Sequence, residues 1–118
     1  GDVYKRQVHR DIFLLDKDYS DTFDIVFEYT CYCAIDPDRR RDYFNMVHKI
    51  LKKGGKLIGI FIPLDKDIND KDGPPFGVSV DEILALTDTK FNIIENIFSN
   101  YSIDKRSGRE KWIILEKI

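Results

Sequence analysis

The chain has 118 residues, and its composition of 42% hydrophobic and 34% charged residues is that of a soluble globular domain, or part of one, rather than a disordered segment. Lysine and arginine number 19 against 21 aspartates and glutamates, so the charge balance gives no reason to expect a nucleic-acid partner. No apolar run approaches the roughly 20 residues that cross a bilayer, and residues 1–10 lack a signal peptide's apolar stretch, so we expect no membrane partner.

The two cysteines, Cys31 and Cys33, are separated by a single tyrosine. Neighbours at this spacing place their side chains badly for a disulfide. A pair of thiolates also cannot complete a zinc site, and no suitably spaced histidine or cysteine adds to it. We therefore expect free, mostly buried thiols, no metal and a reducing cytoplasmic environment.

The first clear elements are a strand and a helix. The apolar, β-rich run Phe23–Tyr29 predicts a buried parallel strand. Asp36 and Pro37 suit the start of a helix, and the apolar spacing behind them predicts that it continues to Gly54-Gly55 as its C-terminal cap. The charged run 39–41 falls in the first turn, which favours a solvated face over a phosphate site.

The second half of the chain predicts a strand, a helix and a hairpin. Residues 57–62 are apolar throughout, which is typical of a strand covered on both faces. Ser79 and Glu82 have capping-box spacing, and Val78 with Ile83 can form a hydrophobic staple around the same helix start. Residues 91–102 and 110–118 have strand patterns and a connection so short that only antiparallel pairing fits.

These elements predict an α/β fold, namely one flank of a three-layer sandwich with a mostly parallel sheet and a terminal antiparallel hairpin. Ligands in such sheets bind beyond the carboxyl ends of the strands. Segments expected at that edge are residues 11–13, 28–30, 63–64 and 73–76.

The start of the chain fits this scheme poorly. Residues 8–15 are interpreted as the end of an earlier strand and the loop behind it. Residues 1–7, GDVYKRQ, resemble translated sequencing-adaptor read-through. No glycine-rich turn follows a strand anywhere in the sequence, so we expect residues 1–118 to be one incomplete domain without its N-terminal cofactor loop.

Several segments, taken in order, resemble the thiopurine methyltransferase family, which includes plant-type thiol and halide methyltransferases. They are FDIVFEYTCYCAI followed by Pro37, KKGGKLIGIFIP, GPPFGVSVDEI and GREKW, and they span roughly residues 8–118. GPPF is the most discriminating of them. The resemblance implies a Rossmann-like class I methyltransferase fold whose last strand is antiparallel and reached by a hairpin.

The resemblance also implies a function. The complete, monomeric protein would transfer a methyl group from S-adenosylmethionine to a small soft nucleophile such as a thiol, sulfide or halide. Asp11 and Ile12 match positions that contact the adenine of the cofactor, and Tyr29 matches a position near cofactor and acceptor. The residues that match the border of the acceptor pocket are Tyr29, Leu64, Pro74, Pro75 and Phe76. No catalytic side chain is assigned, and a role for Glu28 as a base stays open.

Each of these residues also has a purely structural interpretation. Asp11 alone is typical of a solvated turn, Tyr29 of a half-buried packing residue, and Pro74-Pro75 of a rigid turn anchored by Phe76. His9 and His48 are expected at the surface. The rival function is a small non-catalytic α/β module for partner binding or regulation; a nucleotide-dependent dehydrogenase would not account for GPPF.

Overall fold

The computed structural model describes residues 11–98 and 108–118. Its helices are α1 (Leu15–Asp18), α2 (Arg40–Ile50) and α3 (Val80–Thr87), with short 3-10 turns at Ile12–Leu14 and Pro37–Arg39. Its strands are β1 (Phe23–Tyr29), β2 (Leu51–Phe61), β3 (Phe91–Phe98) and β4 (Lys111–Lys117). None of the helices in these residues has the length and apolar character to span a membrane.

The strands form one four-stranded sheet in the order β1-β2-β4-β3. β1 runs parallel to β2, with Val26 opposite Leu57. β4 is antiparallel to both of its neighbours, β2 and β3. The predicted parallel pair and the predicted antiparallel pair are both confirmed, while residues 99–102 of the hairpin prediction lie outside the described residues.

The core lies on one face of the sheet. Leu57 and Phe61 of β2 are buried there with alternating residues of β4, and α2 and α3 contribute to the same cluster, for instance through Val47 and Ile83. On the opposite face the apolar side chains of β1 are exposed, and Phe27 reaches 76% exposure, so the prediction that β1 is a buried strand is wrong within the described residues. Within the described part of the chain, the helical layer therefore covers one side of the sheet.

The junction between α2 and β2 differs from the prediction. Leu51 is already extended (φ −76°, ψ 142°), so α2 ends at Ile50 and Gly54-Gly55 lies inside β2 rather than at a helix cap. The register shifts here, because Phe23 pairs with Leu51 whereas Ile25 pairs with Lys56. The extra residues bulge out of the ladder, which the positive φ of Gly54 (80°) permits.

The start of α3 agrees with the predicted capping pattern only in part. The Ser79 hydroxyl oxygen accepts a hydrogen bond from the backbone N–H of Glu82 at 3.3 Å. Val78 and Ile83, at the staple positions, are both buried. The Glu82 carboxylate, however, accepts a hydrogen bond from Arg40, on α2. The expected capping-box glutamate therefore takes part in a contact between two helices.

The segment before β1 is helical where a loop was expected. The carboxylate of Asp11 caps the first 3-10 turn by accepting from the N–H of Phe13 at 2.9 Å, and α1 follows directly. His48 is half-buried, with its ring edge-on against Phe91, rather than fully at the surface. The predictions for residues 1–10, including the earlier strand and His9, lie outside the described residues.

Candidate functional site

A cleft of about 350 Å³ opens at the carboxyl ends of β1 and β2, where the α/β sheet was expected to bind its ligand. The loop after β1 forms one wall, the segments after β2 form the other, and a residue just before β4 completes the rim. The lining residues are Thr30, Cys33, Ala34, Ile62, Pro63, Pro74, Pro75 and Arg109. The cleft is therefore mostly apolar, with one cationic side chain.

Glu28, which is only 3% exposed, holds the loop that forms the first wall in place through hydrogen bonds. Its carboxylate accepts hydrogen bonds from the backbone N–H groups of Cys31 (3.2 Å) and Tyr32 (3.1 Å) and from the Tyr43 hydroxyl. Desolvation raises the pKa of Glu28, and these hydrogen bonds oppose the shift. Because both carboxylate oxygens are occupied inside the protein, the geometry gives Glu28 a structural role rather than that of a base in the cleft.

The chain turns sharply between Glu28 and the cleft. Thr30 has a positive φ of 63°, and its hydroxyl donates to the carbonyl of Tyr29 at 2.6 Å. The thiol of Cys33 donates to the carbonyl of Thr30 at 3.4 Å and so ties the loop together. Both cysteines are free, as predicted.

The thiols themselves are poor nucleophiles. Burial raises the pKa of Cys31 to about 11, and burial likewise raises the pKa of Cys33. Both groups are therefore protonated near neutral pH, whereas the reactive form of cysteine is the thiolate. Cys33 contributes an apolar surface to the cleft.

A backbone hydrogen bond holds the second wall against the first, since the N–H of Phe76 donates to the carbonyl of Cys33 at 2.7 Å. Within the second wall, the N–H of Val78 donates to the carbonyl of Pro63 at 3.0 Å. Lys66 adds a hydrogen bond from its ammonium group to the carbonyl of Pro75 at 2.6 Å. The peptide bonds Ile62–Pro63, Gly73–Pro74 and Pro74–Pro75 are cis.

Arg40 contradicts the prediction of a solvated arginine face. Arg39 and Arg41 are exposed, but Arg40 is only 2% exposed. Its guanidinium group donates to the Glu82 carboxylate at 3.0 Å and to the carbonyl of Gly77 at 2.8 Å. Adjacent charges in the sequence suggested one environment for all three arginines, whereas the partners of Arg40 come from distant parts of the chain.

Arg109 was not among the predicted site residues. Its side chain forms an ion pair with Asp65 at 2.7 Å, and its carbonyl accepts from the N–H of Leu64. The hydrogen bond from Arg109 lowers the pKa of Asp65. The sequence signal for Arg109 is its position inside the GREKW segment, which marks the start of the last strand and does not by itself indicate a cleft residue.

The predicted acceptor residues are only partly brought together. Pro74 and Pro75 line the cleft. Tyr29 is 43% exposed at the end of β1, next to the cleft residue Thr30, a degree of exposure that fits both a residue at the cleft edge and the half-buried packing residue of the structural interpretation. Leu64 packs against the core, and Phe76 borders a separate depression that residues 36–38 and 68–71 also line.

The predicted adenine contacts, Asp11 and Ile12, lie in the first 3-10 turn and do not line this cleft. Asp11 is exposed and uses one carboxylate oxygen as a cap, which is the turn role of its structural interpretation. Ile12 packs against the core with part of its side chain. No group of three or more metal-binding side chains occurs among the described residues.

Solved structures define the class of fold. The structure superposes on an S-adenosylmethionine-dependent methyltransferase from Archaeoglobus fulgidus with a TM-score of 0.70 at 14% identity, covering 93% of this chain and 66% of that one. It matches the 1,6-didemethyltoxoflavin-N1-methyltransferase of Burkholderia thailandensis, solved with 1,6-didemethyltoxoflavin and S-adenosylhomocysteine, with a TM-score of 0.69 at 16% identity, covering 93% and 49%. The fold is therefore that of the S-adenosylmethionine-dependent methyltransferases.

Sequence relatives narrow the class to a family. The profile of the thiopurine S-methyltransferase (TPMT) family matches residues 6–117. The chain is 34% identical over 93 residues to "Probable thiol methyltransferase 2" of Arabidopsis thaliana and 35% identical over 96 residues to "Thiocyanate methyltransferase 1" of Brassica oleracea. Each alignment covers 78% of this chain and 40% of the relative. The chain belongs to the thiopurine S-methyltransferase family, which confirms the resemblance, and spans about two fifths of these relatives.

Proposed function

We propose that the protein containing this chain transfers a methyl group from S-adenosylmethionine to a small soft nucleophile, such as a thiol, a sulfide or a halide. The observation that carries the proposal is the apolar cleft at the carboxyl ends of β1 and β2, walled by Pro74 and Pro75. Family membership and the names of the thiol and thiocyanate methyltransferase relatives support it.

For this reaction the protein mainly has to position the two reactants and exclude water from them. S-adenosylmethionine, when bound, supplies an activated methyl group on a sulfonium leaving group. The apolar walls of the cleft exclude water from the acceptor, and the hydrogen bond between Phe76 and Cys33 fixes the spacing of the walls. A thiol with a pKa near 8.5 is partly ionised at neutral pH, so no strong general base is required.

Roles for the other residues follow as parts of this proposal. Tyr29 and Thr30 stand at the end of β1, where an exposed ring at the cleft edge can contact both reactants. Asp11 and Ile12 are proposed adenine contacts, for which the exposure of Asp11 is suitable. Leu64 and Phe76 back the acceptor wall rather than face it.

We further propose that this chain carries the acceptor side of a larger methyltransferase domain. The exposed apolar side chains of β1, including Ile25 and Phe27, are suited to packing against further elements of that domain. The glycine-rich turn and the ribose-binding acid that grip the cofactor would belong to those elements. The free thiols support a cytoplasmic location.

Calorimetric titration with S-adenosylmethionine tests the proposal, with the 118-residue chain and the complete coding sequence compared side by side. We expect the complete protein to bind and the isolated chain to bind at least about a hundredfold more weakly, because several hydrogen bonds to the ligand are missing. Methyl-transfer assays over thiols and halides then identify the acceptor. Failure of the complete protein to bind or to methylate any of these acceptors would favour the non-catalytic binding module.

A further inference from the structure

We infer that Arg40 is a positioning residue for the cleft, whose guanidinium group sets the distance between the two walls. The inference rests on the proposed function of the cleft as the acceptor site. Arg40 itself does not line the cleft, so it acts through the backbone that does.

Arg40 contacts both walls from behind. On the second wall it donates a 2.8 Å hydrogen bond to the carbonyl of Gly77, two residues after Pro75. On the first wall its guanidinium carbon lies 4.5 Å from the centre of the Tyr32 ring, in a cation–π contact. Tyr32 belongs to the loop between Thr30 and Ala34, so one buried cation touches both sides of the cleft.

The contacts around Arg40 form a closed cluster. Glu82 accepts hydrogen bonds from Arg40 at 3.0 Å and from the Tyr32 hydroxyl at 3.3 Å. The backbone N–H of Tyr32 in turn donates to Glu28, at the base of the first wall. A shift of the Arg40 guanidinium group would therefore disturb the second wall at Gly77 and the first wall at Tyr32 together.

The second wall is packed closely at Gly77. A side-chain carbon there would lie 2.4 Å from the carbonyl oxygen of Lys66, so the backbone of Gly77 lies close to the polar loop after β2. The carbonyl of the same residue accepts the hydrogen bond from Arg40. Arg40 therefore contacts the second wall at a position where the backbone has little free space.

Stability alone is a weak reason for this arrangement. Arg40 is buried while the Glu82 side chain is 37% exposed, and the cost of taking the arginine charge out of water offsets much of the gain from the ion pair. The Arg40 Nε atom is moreover buried without a hydrogen-bond partner among the described residues, which adds a cost. The planar guanidinium group, in contrast, donates to two acceptors at once and is therefore well suited to fixing the distance between them.

The test compares Arg40→Lys and Arg40→Met with Arg41→Met, a matched control on the exposed side of the same helix, all in the complete protein. Hydrogen exchange is followed at the Phe76 amide, which bridges the walls, and at Val47 in the core as a measure of global opening. We expect Arg40→Lys, which keeps the charge but not the fork, to accelerate exchange at Phe76 by about tenfold and to leave Val47 unchanged. The acceptor KM should rise by a similar factor while the Kd for S-adenosylmethionine stays the same.

Equal acceleration at Phe76 and Val47, or an unchanged acceptor KM in Arg40→Lys, would overturn the inference and leave Arg40 as a residue of general stability. If Arg40→Met does not fold, Arg40→Lys decides alone. An inactive wild-type protein would instead contradict the proposed function. The exchange at Phe76 would still show whether Arg40 fixes the walls.

Discussion

The hydroxyl group of Tyr43, on α2, donates a hydrogen bond to the carboxylate of Glu28, the last buried residue of β1. The link joins the helical layer to the strand whose end borders the cleft. Desolvation raises the pKa of Glu28, and desolvation together with the nearby carboxylate raises that of Tyr43 well above its usual range. The hydrogen bond therefore joins two groups whose pKa values are both raised by burial.

Replacing Glu28 by glutamine should flatten the pH dependence of stability. Because the pKa of Glu28 is higher in the folded protein than its ordinary value of 4.5, the folded state holds this proton more tightly than the unfolded state. Its contribution to the free energy of unfolding is therefore fully present below pH 4.5 and is lost as the pH rises through the folded pKa. Glu28→Gln removes that loss, so urea unfolding should show the variant gaining relative to wild type as the pH rises.

Glu95→Gln, on the exposed side of β3, is the matched control and should run parallel to wild type at all pH values. At low pH the variant should be about 1 kcal/mol less stable than wild type, because the amide nitrogen of glutamine cannot accept one of the backbone hydrogen bonds that the Glu28 carboxyl group accepts. A constant difference across the pH range would show that Glu28 is not destabilised by burial.

Replacing Pro74 and Pro75 together by glycine should weaken acceptor binding. Both prolines line the cleft. Glycine increases the backbone conformational freedom of this wall in the folded protein, and it also increases the conformational entropy of the unfolded chain. We expect a cost of about 1 kcal/mol per residue in unfolding free energy and an acceptor KM at least about tenfold higher. Pro37→Gly, outside the cleft, should lower stability without changing the KM. Equal effects of both changes on the KM would contradict a role for the proline wall.

Tyr29→Ala should reduce turnover in the complete protein. The ring is 43% exposed at the edge of the cleft, so its loss should affect the reactants more than the fold. A tenfold fall in kcat/KM would correspond to about 1.4 kcal/mol of transition-state stabilisation. Phe98→Ala, at the end of β3 and away from the cleft, is the aromatic control. Steady-state kinetics with Tyr29→Phe then separates the hydroxyl from the ring, and unaltered kinetics in Tyr29→Ala would remove this residue from the site.

The exposed face of β1 should make the isolated chain self-associate. Phe27 and Ile25 are 76% and 48% exposed on an edge strand, which invites pairing and apolar contact. Sedimentation velocity should detect concentration-dependent oligomers, and Phe27→Lys should reduce them. Ile68→Lys makes a similar apolar-to-charged change at an exposed loop position and should leave the oligomers unchanged. A wild-type chain that stays monomeric with a cooperative melt would contradict the proposal that further elements cover this face.

The sequence predicted elements well where local chemistry determines them. β1 has the predicted bounds, Phe23–Tyr29, because the β propensity and apolar pattern that define this strand lie within these residues themselves. Ser79 marked the start of α3 for the same reason. The predicted end of α2 was wrong because Gly55 is needed for a close approach to β1 and not for a helix cap. A side-chain carbon at Gly55 would lie 3.1 Å from the Asp24 carbonyl oxygen on β1. No local pattern reveals that approach.

The cleft lies at the predicted edge of the sheet, but only some of its lining residues were predicted. Pro74 and Pro75 were assigned to the cleft by resemblance, and the structure places them in its lining. Arg40 was missed because its partner Glu82 is 42 positions away and was already assigned to a capping box. Arg109 was missed because its contact with Asp65 depends on antiparallel pairing that brings β4 beside β2.

The position of β4 has a consequence for biosynthesis. β3 pairs only with β4 among the described strands, and β4 in turn pairs with β2, so the order β1-β2-β4-β3 cannot form until residues 111–117 have been made. A nascent chain that has emerged only as far as β3 exposes an unpaired β2 edge, which is a site for misassembly. A premature stop codon that removed β4 would also leave β3 without its partner, so two of the four described strands would be lost from the sheet, and the product should be degraded.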